Sequence, residues 1–242
     1  MSALVVCSGG LDSVTLAHKV AREGRLARLM TFDYGQRHAV EIDFARACAE
    51  RLAAPHDVVD FASVGRLLGS SALSRAAAEE VPDGHYAEET MRATVVPNRN
   101  AIMLTVAFGA AAGAGLDSVA AAMHTGDHFI YPDCRPAFAE AFATMQQTAL
   151  EGMWDIAFET PFIDMSKAEI VAVGAEIGVP FAETWSCYKG GELHCGRCGT
   201  CVERAEAFYL AGVKDPTHYA DPHYWEEACH LPGRGEDDGA AR

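Results

Sequence analysis

The sequence predicts an α/β fold, a Rossmann-like parallel sheet of five strands, followed by a small cysteine-rich lobe. Along roughly the first two thirds of the chain, short apolar runs alternate with stretches of helical periodicity, which is the pattern of a parallel sheet covered by helices. Four of the 8 cysteines then crowd between residues 187 and 201. The 242 residues are 50% hydrophobic and 22% charged, a balance typical of globular proteins and not of disordered chains.

Each element is predicted from a local pattern. The strands are short apolar runs bounded by turn residues, and the helices are longer segments with helical periodicity or a continuous Ala-rich apolar composition. Ser166 and Glu169 have the spacing of a capping box, which predicts that a helix starts there. The predicted strands cover residues 4–7, 26–32, 56–61, 117–123 and 156–160, and the other predicted helices cover residues 12–22, 38–53, 98–113, 135–150 and 202–210.

Two segments lack such patterns. Residues 70–94 have no clear periodicity and contain a Pro-Asp-Gly turn sequence at 82–84, so we predict a long loop or lid there. The last ten residues, 233–242, are too polar and Gly-rich to bury a core. We therefore predict that this tail is disordered.

The charge of the chain narrows its partners. It has 19 Lys and Arg against 34 Asp and Glu, for a net charge of −15. Nucleic-acid binding needs a concentrated basic face, so we expect a small-molecule substrate and no nucleic-acid partner. No apolar run approaches the roughly 18 residues of a membrane span, and the N-terminus lacks the basic region of a signal peptide. The expectation is a soluble, cytoplasmic protein.

A phosphate-binding loop is predicted at residues 8–13, SGGLDS, between the first strand and the first helix. Gly9 and Gly10 permit a tight turn and a close approach to a ligand, and the N–H groups of the following helix attract an anion. The hydroxyls of Ser8 and Ser13 add donors, which together suit a pyrophosphate. A Walker A loop is excluded because the chain has no Gly-Lys pair, and the dinucleotide pattern GxGxxG is missing here. A turn with no ligand is the disfavoured alternative.

The cysteine cluster predicts a metal site. Cys187, Cys195, Cys198 and Cys201 place four thiols in one glycine-rich loop, which suits tetrahedral ligation of a closed, structural zinc ion. His194 is a possible substitute ligand, although a role beside the site is favoured. An iron–sulfur cluster is the main alternative, but the CxxxCP continuation of a ferredoxin motif is missing.

The loop at residues 8–13 resembles the signature of the PP-loop ATP pyrophosphatases. That resemblance implies cleavage of ATP between its α and β phosphates, with a substrate oxygen activated as an adenylate. Over about residues 3–220 the chain also resembles the QueC family of 7-cyano-7-deazaguanine synthases. The further motifs that carry this resemblance are FDYGQRH at 32–38, VPNRN at 96–100, YPDCRP at 131–136, and TWSCY with CGRCGTC between 184 and 201.

The resemblance implies a ligase. ATP would adenylate the carboxylate of 7-carboxy-7-deazaguanine, ammonia would displace AMP to give an amide, and a second ATP would activate that amide for conversion to the nitrile used in queuosine biosynthesis. It further implies Mg²⁺ with ATP, one structural Zn²⁺ per chain and a homodimer. Residues 1–183 would form the PP-loop ATP-binding domain, and residues 184–225 the zinc-binding lobe and C-terminal helix. No glutaminase region is recognised, so free ammonium is the expected nitrogen source.

ATP contacts are expected from the loop and from the sheet edge. By the resemblance, residues 8–18 hold ATP. Asp33 and Tyr34 end the second strand, at the edge where open α/β sheets bind ligands. The expected ATP-binding residues are Ser8, Gly9, Gly10, Leu11, Asp12, Ser13, Val14, Thr15, Leu16, Ala17, His18, Asp33 and Tyr34.

Catalytic and substrate residues are expected at two helix starts and after the fourth strand. Arg99 and Lys167 are cations at predicted helix N-termini, where the dipole disfavours them unless an anion compensates, although for Lys167 a solvated charge is an equal alternative. Asp133 and Arg135 follow the fourth strand and suit a guanine-like edge and a carboxylate. The expected catalytic residues are Asp12, Ser13, Arg99 and Lys167, and the expected substrate residues are Arg37, Arg99, Tyr131, Asp133 and Arg135.

Three alternative functions stay open. A PP-loop tRNA-modifying enzyme, a thiolase or lysidine synthetase, would need a basic RNA-binding surface, which the acidic charge disfavours. A non-catalytic zinc-binding interaction module would not need the intact phosphate loop. A relative that activates a deazaguanine for another acceptor is not excluded by the motifs.

Overall fold

The computed structural model describes residues 1–68, 71–86, 89–128 and 130–230, without the side chains of Asp127 and His128. The predicted five-stranded sheet is confirmed, and all of its neighbouring strands are parallel. The spatial order of the strands is β3-β2-β1-β4-β5. Strands β2 and β3 therefore extend the sheet to one side of β1, and β4 and β5 extend it to the other. The strands are β1 Ala3–Val6, β2 Leu26–Asp33, β3 His56–Asp60, β4 Ser118–Ala120 and β5 Ala157–Glu159.

Helices cover both faces of the sheet. Side chains alternate along β1, so Ala3 and Val5 pack in one core with α1, α2, α6 and α7, whereas Leu4 packs in another with α4 and α5. The helices are α1 Leu11–Arg22, α2 Glu41–Arg51, α3 Ala62–Leu67, α4 Arg99–Ala114, α5 Pro136–Leu150, α6 Lys167–Glu176, α7 Gly199–Ala211 and α8 Tyr224–Ala228. Among the described residues, none of these helices is long and apolar enough to span a membrane.

Some predicted helix boundaries differ from the observed ones, where contacts with distant segments set the end of the helix. The helix predicted from residue 38 begins at Glu41, and the one predicted from residue 202 already begins at Gly199, beside the cysteines. The short helices α3 and α8 were not predicted. Gly65 of α3 packs so closely on the Tyr34 carbonyl that no Cβ fits, a contact that no local pattern announces. The predicted disordered tail, 233–242, lies outside the described residues.

The segment predicted as a lid is anchored at both ends of its described part. An isolated bridge joins Gln36 to Ser74, and another joins Asp83 to Cys198 of the cysteine lobe. A short 3-10 helix, Glu89–Thr94, ends the segment. These contacts place residues 71–86 between the start of α2 and the cysteine lobe, and movement as a lid stays a prediction.

A buried arginine joins α7 to the segments on either side of it. Arg204 is only 1% exposed. Its guanidinium donates to Thr217 Oγ1 at 2.7 Å, to Thr184 Oγ1 at 2.8 Å and to the Phe181 carbonyl at 2.8 Å. These bonds link the segment before the cysteines with the one after α7, so Arg204 fixes the position of α7.

Replacing Arg204 with Met should lower the free energy of unfolding by about 3 kcal/mol, because the buried Thr184 hydroxyl and Phe181 carbonyl lose their donor. Urea unfolding followed by circular dichroism measures this change. Arg22→Met, at an exposed position of α1, is the matched control and should cost less than about 0.5 kcal/mol. Equal effects of the two substitutions would contradict the assignment.

Candidate active site

A cavity opens at the carboxyl ends of the strands, between the loop at residues 8–13 and the cysteine lobe. Its volume is about 1230 Å³, counted out to its open mouth. Its lining includes Ser8, Gly10, Asp12, Ser13, Phe32, Tyr34, Glu41, Arg99, Met103, Lys167, Ser186, Tyr188 and Glu203.

The loop at residues 8–13 is held in shape by its own serines. The Ser8 N–H donates to Ser13 Oγ at 3.1 Å, and the Ser13 hydroxyl donates to the Gly10 carbonyl at 3.1 Å. Gly9 has φ +89°, and a Cβ there would collide with the Glu41 carbonyl oxygen. Gly10 precedes α1 and has no side chain with which to cap it. The N–H groups of the first turn are therefore available to an anionic ligand.

A charged cluster stands beside this loop. Lys167 Nζ lies 2.5 Å from Glu203 Oε2 and 3.2 Å from Asp12 Oδ2. His124 Nε2 lies 3.6 Å from the same Asp12 oxygen. His124 Nδ1 accepts the Gly126 N–H at 3.1 Å, which assigns the hydrogen of the neutral ring to Nε2, on the side of Asp12. Helices α1, α6 and α7 thus each contribute one charged side chain to this cluster, namely Asp12, Lys167 and Glu203.

Asp12 is an anion with one oxygen unused. Burial would raise the pKa of Asp12, but Lys167 and His124 outweigh it and hold that pKa below its usual value. The second carboxylate oxygen, Oδ1, is buried and has no hydrogen-bond partner among the described residues. A buried, unpartnered carboxylate oxygen at an anion-binding loop is suited to a cation that arrives with the anion.

The opposite side of the cavity carries a cation on an apolar wall. Arg99 is the first residue of α4, and its guanidinium donates to Tyr34 Oη at 3.5 Å. No ion pair joins Arg99 to a carboxylate within the described part of the chain. Phe32 and Met103 line the same cavity with apolar surface. This wall suits a flat ring that carries an anionic group.

Glu41 and His38 form a neutral pair near Arg99. Burial raises the pKa of Glu41 to about 8, although Gln36 and Arg99 act against it. Burial and the Arg99 charge lower the pKa of His38 to about 3. His38 Nε2 and Glu41 Oε1 are 3.5 Å apart. Both shifts favour the uncharged side chains near pH 7, so the Arg99 charge is not neutralised by this pair and is available to a ligand.

The buried Glu41 predicts a fall in stability with rising pH. Its folded pKa of about 8 lies above its ordinary value of 4.5, so the folded state binds more protons between these limits. The stabilisation is complete below about pH 4.5 and is lost as the pH rises through about 8. Between pH 5 and pH 8 the wild type should lose about 2–4 kcal/mol relative to Glu41→Gln, measured by urea unfolding. Glu50→Gln, at an exposed position of α2, should follow the wild type, and parallel curves for Glu41→Gln would contradict the prediction.

The four clustered cysteines can bind a metal. Their sulfur atoms all lie within 4.8 Å of one another, and Cys195 Sγ is 3.9 Å from Cys201 Sγ. The Arg197 and Cys198 N–H groups point at Cys195 Sγ, at 3.3 Å and 3.2 Å, and the Cys195 N–H points at Cys187 Sγ at 3.3 Å. Backbone donors of this kind stabilise thiolates, the form that binds metal.

Comparison with known proteins decides the family. The family described as queuosine biosynthesis protein QueC matches residues 2–212. The chain belongs to the QueC family. A relative from Rhizobium meliloti named 7-cyano-7-deazaguanine synthase is 64% identical over 94% of this chain and 96% of its own length. One of the same name from Paracoccus denitrificans is 64% identical over 94% of this chain and 97% of its own. The resemblance drawn from the motifs is confirmed.

A more distant likeness exists among solved structures. The U34-tRNA thiolase NcsA from Methanococcus maripaludis, determined with its [4Fe-4S] cluster, is 10% identical, with a TM-score of 0.47 over 99% of this chain and 76% of the other. A likeness of this size says nothing about what the present chain binds.

In this QueC member the expected ATP residues divide into two groups. The cavity is lined by Ser8, Gly10, Leu11, Asp12, Ser13 and Tyr34, whereas Gly9 packs against the backbone of α2. Val14, Thr15, Leu16 and Ala17 are buried in the core behind the loop. The Asp33 carboxylate accepts the Gly35 N–H at 3.0 Å, and His18 Nδ1 lies 3.0 Å from the Val14 carbonyl. Neither residue is among those that line the cavity. Direct contacts from residues 14–18 and from Asp33 stay predictions.

Most of the expected substrate residues lie outside the cavity. Arg99 lines it, whereas Arg37 donates to the Ser74 carbonyl at 3.1 Å and to the Glu79 carbonyl at 2.6 Å, which holds the 71–86 segment. Tyr131 Oη is 2.6 Å from Thr94 Oγ1 and lines a smaller side pocket. Contacts of Arg37 and Tyr131 with substrate stay predictions, and the structure shows other partners for both.

Asp133 is also engaged. Its carboxylate accepts the Asn100 N–H at 3.1 Å in the first turn of α4, and its carbonyl accepts Asn100 Nδ2 at 3.2 Å. Asp133 therefore caps the helix that begins with Arg99, since Asn98, at the cap position, makes no side-chain bond to it. Arg135 is exposed, one residue before α5. Their contacts with substrate stay predictions too.

Three titratable residues of the site were missed by sequence reasoning, Glu41, Glu203 and His124. Glu203 follows the last cysteine by two residues and His124 follows β4, the strand whose carboxyl end faces the cavity. The position of His124 after a strand is a signal that was available. Glu203 offered no such signal, because its partner Lys167 lies 36 residues away and meets it only through the packing of α6 on α7.

Proposed function

We propose that the chain converts 7-carboxy-7-deazaguanine and ammonia to 7-cyano-7-deazaguanine at the expense of ATP. Family membership and the names of the relatives support the reaction. The observation that carries it in this chain is the joint placement of the anion-binding loop, the Asp12–Lys167–Glu203 cluster and Arg99 in one cavity.

The loop would hold the phosphates of ATP. The Ser8 hydroxyl and the first-turn N–H groups of α1 would donate to the β and γ phosphates, which leave together as pyrophosphate, and Ser13 would keep the loop in shape. Lys167 is held by Glu203 and Asp12 at the same place and would neutralise charge that grows on the leaving group. Asp12 Oδ1, which lacks a partner among the described residues, fits Mg²⁺. Bound there, the ion would supply charge neutralisation of the phosphates.

The apolar wall would hold the deazaguanine, with its carboxylate on Arg99. The carboxylate oxygen forms a bond to the α phosphorus as the bond to pyrophosphate breaks. Ammonia then attacks the carbonyl carbon, loses a proton and expels AMP to give the amide. A second ATP activates the amide oxygen in the same way, and loss of AMP with the remaining nitrogen protons leaves the nitrile. Arg99 and Tyr34 would orient the ring in both activations.

The metal of the cysteine cluster is proposed to be structural zinc. Four sulfur atoms within 4.8 Å of one another suit ligands of a single tetrahedral ion. The thiolates of a four-iron cluster lie further apart, since each binds a different iron. The ion would fix the start of α7 and thereby the position of Glu203.

The proposed partners are small molecules. A net charge of −15 supports the absence of a nucleic-acid partner. Cytoplasmic location and a homodimer are proposed from the family resemblance. Sedimentation at micromolar concentration tests the dimer, which a monomeric mass would exclude.

Mass spectrometry of the reaction tests the function. With ATP, Mg²⁺, ammonium and 7-carboxy-7-deazaguanine, the nitrile should form together with one AMP for each activation. Lys167→Gln should lower the rate at least about 100-fold, whereas Lys214→Gln, exposed after α7, should not change it. AMP formation without amide or nitrile would point to another acceptor, and absence of ATP turnover would exclude the enzyme.

A further inference from the structure

Nitrogen, oxygen and sulfur donors from three distant segments meet outside the nucleotide cavity. His85 lies near the end of the 71–86 segment, Glu206 lies on α7, and Cys229 follows α8. One donor atom of each lies within 4.8 Å of the other two. All three side chains are partly buried, so the cluster is neither a solvated surface group nor sealed in the core.

We propose that His85, Glu206 and Cys229 form a second metal site, which binds zinc or a similar divalent transition ion. Imidazole, carboxylate and thiolate are the three ligand types that zinc accepts, and the thiolate disfavours Mg²⁺ and Ca²⁺. The thiolate and the carboxylate together balance a divalent charge, so the occupied site is neutral. Three protein ligands leave one position for water, in contrast to the closed four-cysteine cluster.

A neighbouring tyrosine supports this assignment. Tyr86 Oη donates to Glu206 Oε2 at 2.8 Å. A hydrogen bond of this type fixes the orientation of a ligating carboxylate. The same residue stacks on the His85 ring, with 4.1 Å between the centroids, so it orients two of the three ligands. A cluster formed by chance on the surface would not need such a partner.

The position of the site gives it a role in the architecture. Glu206 lies three residues after Glu203 on α7, about 4.5 Å along the helix axis. Tyr86 and Glu203 both line the small side pocket next to the nucleotide cavity. An ion held by His85, Glu206 and Cys229 would link the 71–86 segment and the C-terminal segment to α7. The site would therefore stabilise the wall that carries Glu203.

Metal content of the purified full-length protein tests the site. After equilibration with zinc and removal of excess ion, native mass spectrometry should find two ions per wild-type chain. His85→Ala, Glu206→Gln and Cys229→Ser should each retain one, that of the four-cysteine cluster. The matched controls are His223→Ala and Glu227→Gln, both exposed in the same C-terminal region, and they should retain two.

A second measurement does not depend on the folding of any variant. Wild-type protein is alkylated with and without saturating zinc, and the modification of Cys229 is followed by peptide mass spectrometry. Zinc should slow alkylation of Cys229 at least about tenfold, since a thiolate that shares its electron pair with the ion is less nucleophilic than a free one. One ion per wild-type chain, or equal alkylation rates with and without zinc, would overturn the proposal.

Discussion

Asp12→Asn is expected to lower kcat for nitrile formation by about 100- to 1000-fold, because it weakens the binding of Lys167 and Mg²⁺, the groups proposed to neutralise the leaving phosphates. The substitution keeps the size of the side chain and removes its charge. Lys167 then loses one of its two carboxylate partners, and the oxygen that fits Mg²⁺ is lost or becomes neutral. Initial rates at saturating ATP and 7-carboxy-7-deazaguanine give the effect on kcat.

Stability separates this role from a structural one. Asp12 is buried with one oxygen unpartnered among the described residues, which costs free energy in the ligand-free protein. Asn at this position should therefore leave the melting temperature within a few degrees of the wild type while activity collapses. Asp43→Asn, at an exposed position of α2, is the matched control and should change neither quantity. A loss of activity below about tenfold would remove Asp12 from the catalytic machinery.

Local chemistry explains which parts of the fold were predictable. The capping box is an example, because the Ser166 N–H donates to Glu169 Oε2 at 2.7 Å and the Glu169 N–H donates to Ser166 Oγ at 3.3 Å, all within one turn. The loop at residues 8–13 and the clustered cysteines are local in the same sense. Each is a short segment whose residue types and spacing already define its chemistry.

The remaining features depend on contacts between segments far apart in the chain. Arg37 and Asp133 stand in motifs that predicted substrate contacts, yet one holds the 71–86 segment and the other caps α4. In each case the side chain satisfies a backbone group, the Ser74 carbonyl for Arg37 and the Asn100 N–H for Asp133, that would otherwise need another partner. The positions of these backbone groups depend on the packed fold and are not visible in the local sequence. Lys167 is the opposite case, a residue that turned out to lie in the site although a solvated charge was an equal expectation. The packing of α6 on α7 brings it to Asp12.

The cysteine cluster joins the stability of the fold to the active site. Cys198 immediately precedes α7, and Cys201 lies within its first turn. The same helix carries Glu203 to Lys167 and Arg204 to the buried acceptors described above. Loss of a metal from the cluster would therefore release the start of a helix that holds both Lys167 and the adjoining segments.

Cys198→Ser is accordingly expected to lose one metal ion and to lower the melting temperature by more than 10 °C. Structural zinc contributes about 10–16 kcal/mol of apparent binding free energy in zinc-finger peptides, which is comparable to the whole stability of a typical domain. Native mass spectrometry and thermal unfolding followed by circular dichroism measure the two effects. Cys48→Ser replaces a buried thiol outside both metal clusters and should cost only about 1–2 kcal/mol, with the metal retained.

Chelation of the wild type gives the same test without a variant. Slow removal of the ion should increase hydrogen exchange first in α7 and in the residues around the cysteines, while β1 and β2 in the centre of the sheet stay protected. Activity should fall as hydrogen exchange in α7 rises, because Glu203 then no longer holds Lys167 beside Asp12. Unchanged exchange in α7 after metal loss would contradict this coupling, since the helix would then owe its position to Arg204 and to apolar packing alone.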